Sequence, residues 1–289
     1  VRLEEILAEA DRCVKCGYCL PACPTYRQCR DEGESPRGRI ALIQAAFEGL
    51  VSGKRLRLHL DHCLVCRACE PACPSGVRYV RLITAARIRQ QESDPAYRRL
   101  VTRLTLALLS RLPYRRPAAF LAYLYERAGP IRRLVRGLSS GLRRRDALLP
   151  PLQRPIRWQA QYRPAGEAVG RVALFTGCVG RITDQPALLA AIDLLTRLGV
   201  EVMIPAEQGC CGAMHLQAGD ERRAERAAAG NRRAFDGLGA QAILTVASGC
   251  GAHLSEYGER GTPLPAPVLD ISAFLERLPQ IDRLPLRPL

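Results

Sequence analysis

Two stretches of the sequence carry the same arrangement of cysteines. Cys13-Val-Lys-Cys16-Gly-Tyr-Cys19-Leu-Pro-Ala-Cys23-Pro24 returns as Cys63-Leu-Val-Cys66-Arg-Ala-Cys69-Glu-Pro-Ala-Cys73-Pro74, so C-x2-C-x2-C-x3-C-P occurs twice. Three thiolates two residues apart on a tight loop can wrap three irons of one cubane, while the fourth, set off onto the start of a helix, points away. In two-cluster proteins of this spacing the fourth cysteine ligates the other cluster. The expected sets are therefore Cys13, Cys16, Cys19 and Cys73 for one [4Fe–4S] cluster, and Cys63, Cys66, Cys69 and Cys23 for a second. Structural zinc takes its four ligands as two pairs and has no use for two such blocks. Disulfides between cysteines this close would be strained. Cross-ligation ties the two halves together, so loss of either cluster should unfold the region as well as stop electron flow. Cys29 falls outside both blocks and reads as a bystander thiol. His59 and His62, beside a complete set of cysteines, are expected to tune or cover a cluster and not to ligate it.

A second set is less regular. Cys178 follows an apolar strand pattern at residues 171–176, Cys210-Cys211-Gly212 follows another at 200–204, and Cys250 follows a third at 242–247. In an open parallel sheet the carboxyl ends of neighbouring strands face one crevice, where ligands bind. Glycines flank each cysteine (Gly177, Gly180, Gly209, Gly212, Gly249, Gly251), as expected where backbone passes close to a bulky group. Two readings stand side by side: a third metal or redox centre, which the shared sheet edge favours, or buried thiols at strand ends. His215 and His253 follow these cysteines as ligands, proton donors or, more plainly, loop residues.

The elements that must position these groups fall into three regions, giving an α+β multidomain chain. Residues 1–95 read as an all-α two-cluster domain. Leu3, Ile6, Leu7 and Ala10 share a face of an opening helix, and Ile40, Ile43, Phe47, Leu50 and Val51 share one between the cysteine blocks, with Ser35-Pro36 as its start signal. Residues 96–170 lack cysteine and read as a basic connector of short amphipathic helices broken at Pro113, Pro117, Gly129-Pro130, Gly141 and Pro150-Pro151. Its tail from Pro150 to Gly170 reads as a linker. Residues 171–289 alternate strands with helices at 186–198 and 220–238, the pattern of an α/β domain with a parallel sheet.

With 289 residues, 47% of them hydrophobic, the chain has ample material for two folded domains, and wholesale disorder is excluded. Thirteen cysteines in a chain long enough to fold without staples, and with opening residues that do not read as a secretory signal, fit metal ligands in a reduced compartment. The net charge of +15 suggests nucleic acid until it is resolved by position. Residues 98–163 hold sixteen arginines against Glu126 and Asp146, a net +14, and the rest of the chain is close to neutral. Sparse aromatic residues argue against nucleic acid, and none is expected as a partner. A basic, apolar-backed helical face suits anionic lipid headgroups or an acidic subunit.

The chain resembles the iron–sulfur subunit of glycolate oxidase, a family related to the iron–sulfur subunits of anaerobic glycerol-3-phosphate dehydrogenase, lactate-utilisation proteins and heterodisulfide reductase. The resemblance rests on the two cysteine blocks, Ser35-Pro36-Arg37-Gly38-Arg39-Ile40 between them, Gly209-Cys-Cys-Gly-Ala-Met-His215 and Ser248-Gly-Cys-Gly-Ala-His253. It implies an electron-transfer subunit of an oxidoreductase. A partner flavoprotein would oxidise a 2-hydroxy acid such as glycolate, and this chain would pass electrons through two [4Fe–4S] clusters to a quinone-linked or other respiratory acceptor. Its place would be cytoplasmic, peripheral on the inner face of the membrane. No flavin is expected on this chain, which has no G-x-G-x-x-G fingerprint opening a helix after a strand. A heterodisulfide-reductase-like thiol–disulfide subunit, or a subunit of a lactate or glycerol-3-phosphate dehydrogenase, is the alternative. The sequence departs from the family in two places. Cys250-Gly-Ala-His253 stands where many members have Cys-x-x-Cys, and the family's usual second Cys-Cys-Gly domain is absent before Leu289. Either this is a piece of a longer protein or a centre needing both halves is missing.

Overall fold

The structure, a computed structural model, describes residues 3–111, 116–149, 151–279 and 281. The breaks read at Pro113 and Pro150 and the end of the last region at Leu289 lie outside the described residues. The chain divides into two compact units, one running to Thr102 and including Met214–Glu221, the other formed by Arg103–Ala213 and the chain from Arg222 onward.

The first unit is helical: α1 (Leu3–Asp11), α2 (Pro24–Cys29), α3 (Pro36–Phe47), α4 (Lys54–Asp61) and α5 (Tyr79–Glu92). Ile6, Ile40, Ile43, Leu60, Leu82 and Ile83 form its core, joined from the side by the cysteines Cys13, Cys19, Cys63 and Cys73. The start of α3 is set as expected, with Ser35 Oγ accepting from Gly38 N–H at 2.9 Å and Pro36 in the first turn. Its end is earlier than the apolar pattern suggests. The helix stops at Phe47, Gly49 turns with φ +82°, and Leu50 and Val51 are exposed. Arg39 takes the buried position on the same face, one turn before Ile43.

The second unit contains α7 (Arg116–Arg127), α8 (Gly129–Leu138) and α9 (Ser140–Ala147), reached along α6 (Ala96–Arg111), and then a five-stranded sheet. Asp146 fastens α7, α8 and α9, accepting from Tyr125 Oη at 3.0 Å, Arg132 Nε at 2.9 Å and Arg136. Burial raises its pKa, but the two guanidiniums prevail and hold the carboxyl below its usual value.

The sheet comprises β1 (Gln161–Tyr162), β2 (Gly170–Phe175), β3 (Val200–Met203), β4 (Ile243–Thr245) and β5 (Val268–Asp270), in the order β1-β3-β2-β4-β5. Strands β2 to β5 are parallel, but β1 runs antiparallel to β3, with Gln161 opposite Met203. The wholly parallel sheet expected from the sequence is thus a mixed one. Its extra edge strand comes from the run read as a linker, where two residues between prolines carry no strand periodicity. Alternation along β2 explains the layers. Val172 and Leu174 face Leu188, Ile192 and Leu195 of α11 (Gln185–Arg197; α10 is Gly180–Thr183), while Ala173 and Phe175 face Ala228 and Phe235 of α13 (Glu221–Phe235; α12 is Ala213–Gln217). Helices α14 (Ser248–Ser255) and α15 (Ile271–Leu275) follow β4 and β5. Among the described residues, no helix is long and apolar enough to cross a membrane.

Candidate metal centres

The two cysteine blocks occupy the loops between α1 and α2 and between α4 and α5. The loops share a backbone path. Lys15 and Val65, at the same place in each repeat, have φ +58° and +52°, and Gly17 and Arg67 have +88° and +62°. Left-handed backbone at a β-branched valine is unfavourable and persists only where the surroundings demand it. Here the demand is that three sulfurs turn toward one space. Gly17 has a second constraint, since a Cβ there would meet Arg37 Nη1 at 2.9 Å.

Those spaces are two cavities. One, open to solvent, is lined by Cys13, Cys16 and Cys19 with Cys73 from the other block. The other, also open, is lined by Cys63, Cys66 and Cys69 with Cys23, and Cys69 borders both. Soft thiolate donors in fours, with apolar walls from Ile40, Val77 and Tyr79, match what an iron–sulfur cluster requires. Cys23 precedes α2 as its N-cap residue, the helix-start position expected of a fourth cysteine. Cys73 has no helix after it, and α5 begins only at Tyr79. Cys29, at the end of α2, is exposed and lines neither cavity.

Donors converge on the sulfurs. Val65 N–H and Tyr79 Oη point at Cys63 Sγ at 3.4 and 3.5 Å, and Val77 N–H at Cys73 Sγ at 3.5 Å. Burial pushes the Cys69 thiol up to about 12 and raises Cys19 as well. Binding iron there must therefore displace protons, and the metal's charge stabilises the buried thiolates.

Sequence reasoning missed Glu34 and Arg39. Both are buried, joined at 2.5 Å, and Arg39 also donates to His59 O at 2.6 Å, Glu34 O at 2.6 Å and Thr25 Oγ1 at 3.1 Å. His59 and His62 each approach Glu34 Oε1 through Nδ1, at 2.8 and 2.9 Å. Burial alone would raise the Glu34 pKa, but the two histidines and Arg39 bring it below its usual value. The available signal was an arginine on the apolar face of α3.

The second cysteine set comes together at the carboxyl ends of β2, β3 and β4. Cys178 and Cys210 lie 3.6 Å apart, sulfur to sulfur, and Cys211 and Cys250 3.4 Å apart. Its hydrogen bond to Cys210, and then burial, drive the Cys178 pKa far up. The same bond lowers Cys210, but contact with Cys211 and burial leave it raised to about 11. Two residues without a sequence signal clamp the Cys-Cys-Gly turn. Asn231 accepts from Gly209 N–H at 2.8 Å and donates to Cys210 O at 2.9 Å, and Tyr257 Oη donates to Cys211 O at 2.5 Å. His215 and His253 are not loop residues. They lie buried on α12 and α14, and His253 stands edge-on to Tyr257 with ring centroids 5.5 Å apart. Among the described residues, no three His, Cys, Asp or Glu side chains group as the ligands of one ion would.

Family comparison divides the chain where the chemistry does. A 4Fe-4S dicluster domain matches residues 9–77, which contain all eight cysteines of the repeat, and a cysteine-rich domain matches residues 172–255, which contain the other four. The chain thus carries a region matching a 4Fe-4S dicluster domain and a separate region matching a cysteine-rich domain. It is 37% identical over 270 residues to a probable glycolate oxidase iron-sulfur subunit of Bacillus subtilis, covering 89% of this chain and 60% of that one. It is 36% identical over 264 residues to the glycolate oxidase iron-sulfur subunit of Escherichia coli, covering 86% of this chain and 58% of that one. A lactate utilization protein A of Geobacillus thermodenitrificans is 30% identical over 122 residues, covering 39% of this chain and 50% of that one. The chain thus spans about three fifths of the length of the glycolate oxidase relatives. No solved structure matches it.

Proposed function

We propose that the chain is the electron-transfer subunit of a 2-hydroxy-acid oxidase or dehydrogenase, with glycolate the expected substrate of a separate flavoprotein partner. In this reading residues 1–95 carry two [4Fe–4S] clusters, one on Cys13, Cys16, Cys19 and Cys73, the other on Cys63, Cys66, Cys69 and Cys23. Residues 96–170 are the basic connector, and residues 171–289 hold a third redox or metal centre at Cys178, Cys210, Cys211 and Cys250. The observation that carries the reading is the crossed lining of the cavities, three cysteines from one loop and the fourth from the other. The clusters supply one-electron transfer; the chain supplies thiolates, N–H donors and apolar walls. Hydride chemistry belongs to the flavin on the partner, and a quinone-linked acceptor takes the electrons.

The connector supports a cytoplasmic protein held peripherally on the inner face of the membrane. Ile131, Leu134 and Leu138 stand exposed on one face of α8, in the segment of net +14. Each arginine near an anionic surface contributes about 1 kcal/mol. The decisive experiment is Cys19→Ser in the complex. Substrate should still reduce the flavin while turnover with the terminal acceptor falls to background; unaffected turnover would refute the reading.

The paired thiols favour a second reading, thiol–disulfide chemistry of the heterodisulfide-reductase kind at the cysteine-rich domain. It requires a disulfide substrate to change the spectrum of the protein, and that change to vanish in Cys211→Ser.

A further inference from the structure

The first turn of α3 lies between the two cavities. Pro36 borders both, Arg37 borders the cavity of Cys13, Cys16, Cys19 and Cys73, and Arg39 borders that of Cys23, Cys63, Cys66 and Cys69. The first N–H groups of a helix have no partners within it, and in α3 each is accounted for. Pro36 has none, Gly38 donates to Ser35 Oγ and Arg39 donates to Ser35 O, which leaves the N–H of Arg37, the residue that borders the first cavity, and that N–H works against the rise that burial gives the Cys19 pKa. The positive end of the helix thus places its one remaining donor beside the first cavity.

The two side chains differ in the same sense. Arg37 Nη1 donates to Lys15 O at 3.0 Å, inside the loop from Cys13 to Cys16, and its counter-ion Glu32, at 2.7 Å, is half exposed, where water screens it. Arg39 is 1% exposed and is matched at 2.5 Å by Glu34, which is 5% exposed. Beside the first cavity stand Lys15 and Arg37, the latter with a weakened counter-ion; beside the other stand two ion pairs, Arg39 with the buried Glu34 and Arg67 with Glu70 at 2.8 Å, each neutral as a pair.

We propose, on the reading that each cavity holds one cluster, that Arg37 sets the two centres at unequal potentials, the site of Cys13, Cys16, Cys19 and Cys73 being the easier to reduce. The reductant, reduced flavin in the complex or dithionite in the test, gives up one electron. The site gains one negative charge, no bond is made or broken, and no proton is needed for balance. A nearby guanidinium and the positive end of a helix both favour the more negative form. Arg37 is a positioning and potential-setting residue, and electrons collect on its side of the pair.

The test is a redox titration of the full chain, purified without oxygen and followed by electron paramagnetic resonance. Iron and sulfide for two clusters, with two midpoints, are expected of the unaltered protein. A single centre would overturn the underlying reading and the proposal with it, whereas two coincident midpoints would overturn the proposal alone. Arg37→Gln is expected to lower the higher midpoint by a tenfold change in the reduction equilibrium, 59 mV for one electron, and to leave the lower one in place. Glu32→Gln removes the counter-ion's charge while its amide oxygen can still accept from Ser35 Oγ and Arg37, and is expected to move the same midpoint upward. It carries the test if Arg37→Gln loses its clusters. A common shift of both midpoints, or a downward shift in Glu32→Gln, would overturn the proposal.

Discussion

The dicluster domain and the cysteine-rich domain gather their sulfurs by opposite routes. In the first, each set is wound into a loop by local spacing, and non-glycine residues, Lys15, Val65 and Arg67, are held in left-handed backbone to do it. In the second, the cysteines are up to 72 positions apart, and parallel strands bring them to one edge. The thiols then pair at 3.4 and 3.6 Å without a strained non-glycine residue beside them. One set is shaped by strained loop backbone, and the other by a sheet edge packed on both faces.

Removing iron should expose that difference most strongly. Chelation of the reduced, loaded protein is expected to release amide protection across α1 to α5, because thiolates from both loops complete the packing around Ile43, Leu82 and Ile83. Strands β2, β3 and β4, covered on both faces by apolar side chains, should keep theirs. Hydrogen exchange read by peptide mass settles it; equal loss in both domains would show that the cysteine-rich domain also depends on metal.

The same contrast explains what could be read from the sequence. The crossed lining of the two cavities was legible because the cysteine spacing anticipates it, and the sheet edge because strand and helix periods announce a parallel crossover. Glu34 and Arg39 were not legible, since an ion pair five residues apart is buried only once α4 closes over it. Asn231 and Tyr257 were hidden for the same reason, acting on Cys210 and Cys211 from 21 and 46 residues away in sequence. β1 escaped because its two residues take their strand character from the edge of β3. Leu50 and Val51 misled because their apolar spacing runs past the point where Gly49 turns the chain.

The buried pair sharpens the comparison at an intermediate scale. Arg39→Ala removes the guanidinium from the buried Glu34, whose carboxylate keeps only His59 and His62, and takes a donor from His59 O, Glu34 O and Thr25 Oγ1. The expected cost is about 3–5 kcal/mol, read as a lowered denaturation midpoint of the first unit by a helix-sensitive signal. The sheet unit, which shares none of these contacts, should melt where it does in the unaltered protein. A loss below about 1 kcal/mol would mean that Glu34 is protonated and the pair contributes little.

The smallest effects come from exchanging the backbone strategies themselves. Gly212 has φ +90°, and a Cβ there would lie 3.1 Å from the backbone of Ala224 on α13. Gly212→Ala should therefore cost about 1–3 kcal/mol and shift the Cys210-Cys211 turn off the helix, changing the rate at which a maleimide reaches Cys211. Val65 at φ +52° is the converse case. Val65→Gly relieves a strained left-handed residue but gives the unfolded chain more freedom, worth about 0.5–1 kcal/mol against folding. The two terms nearly cancel, so the loaded protein should melt within a few degrees of the original. A large destabilisation by Val65→Gly would mean that the valine side chain, and not the path of the loop, is what the second cavity needs.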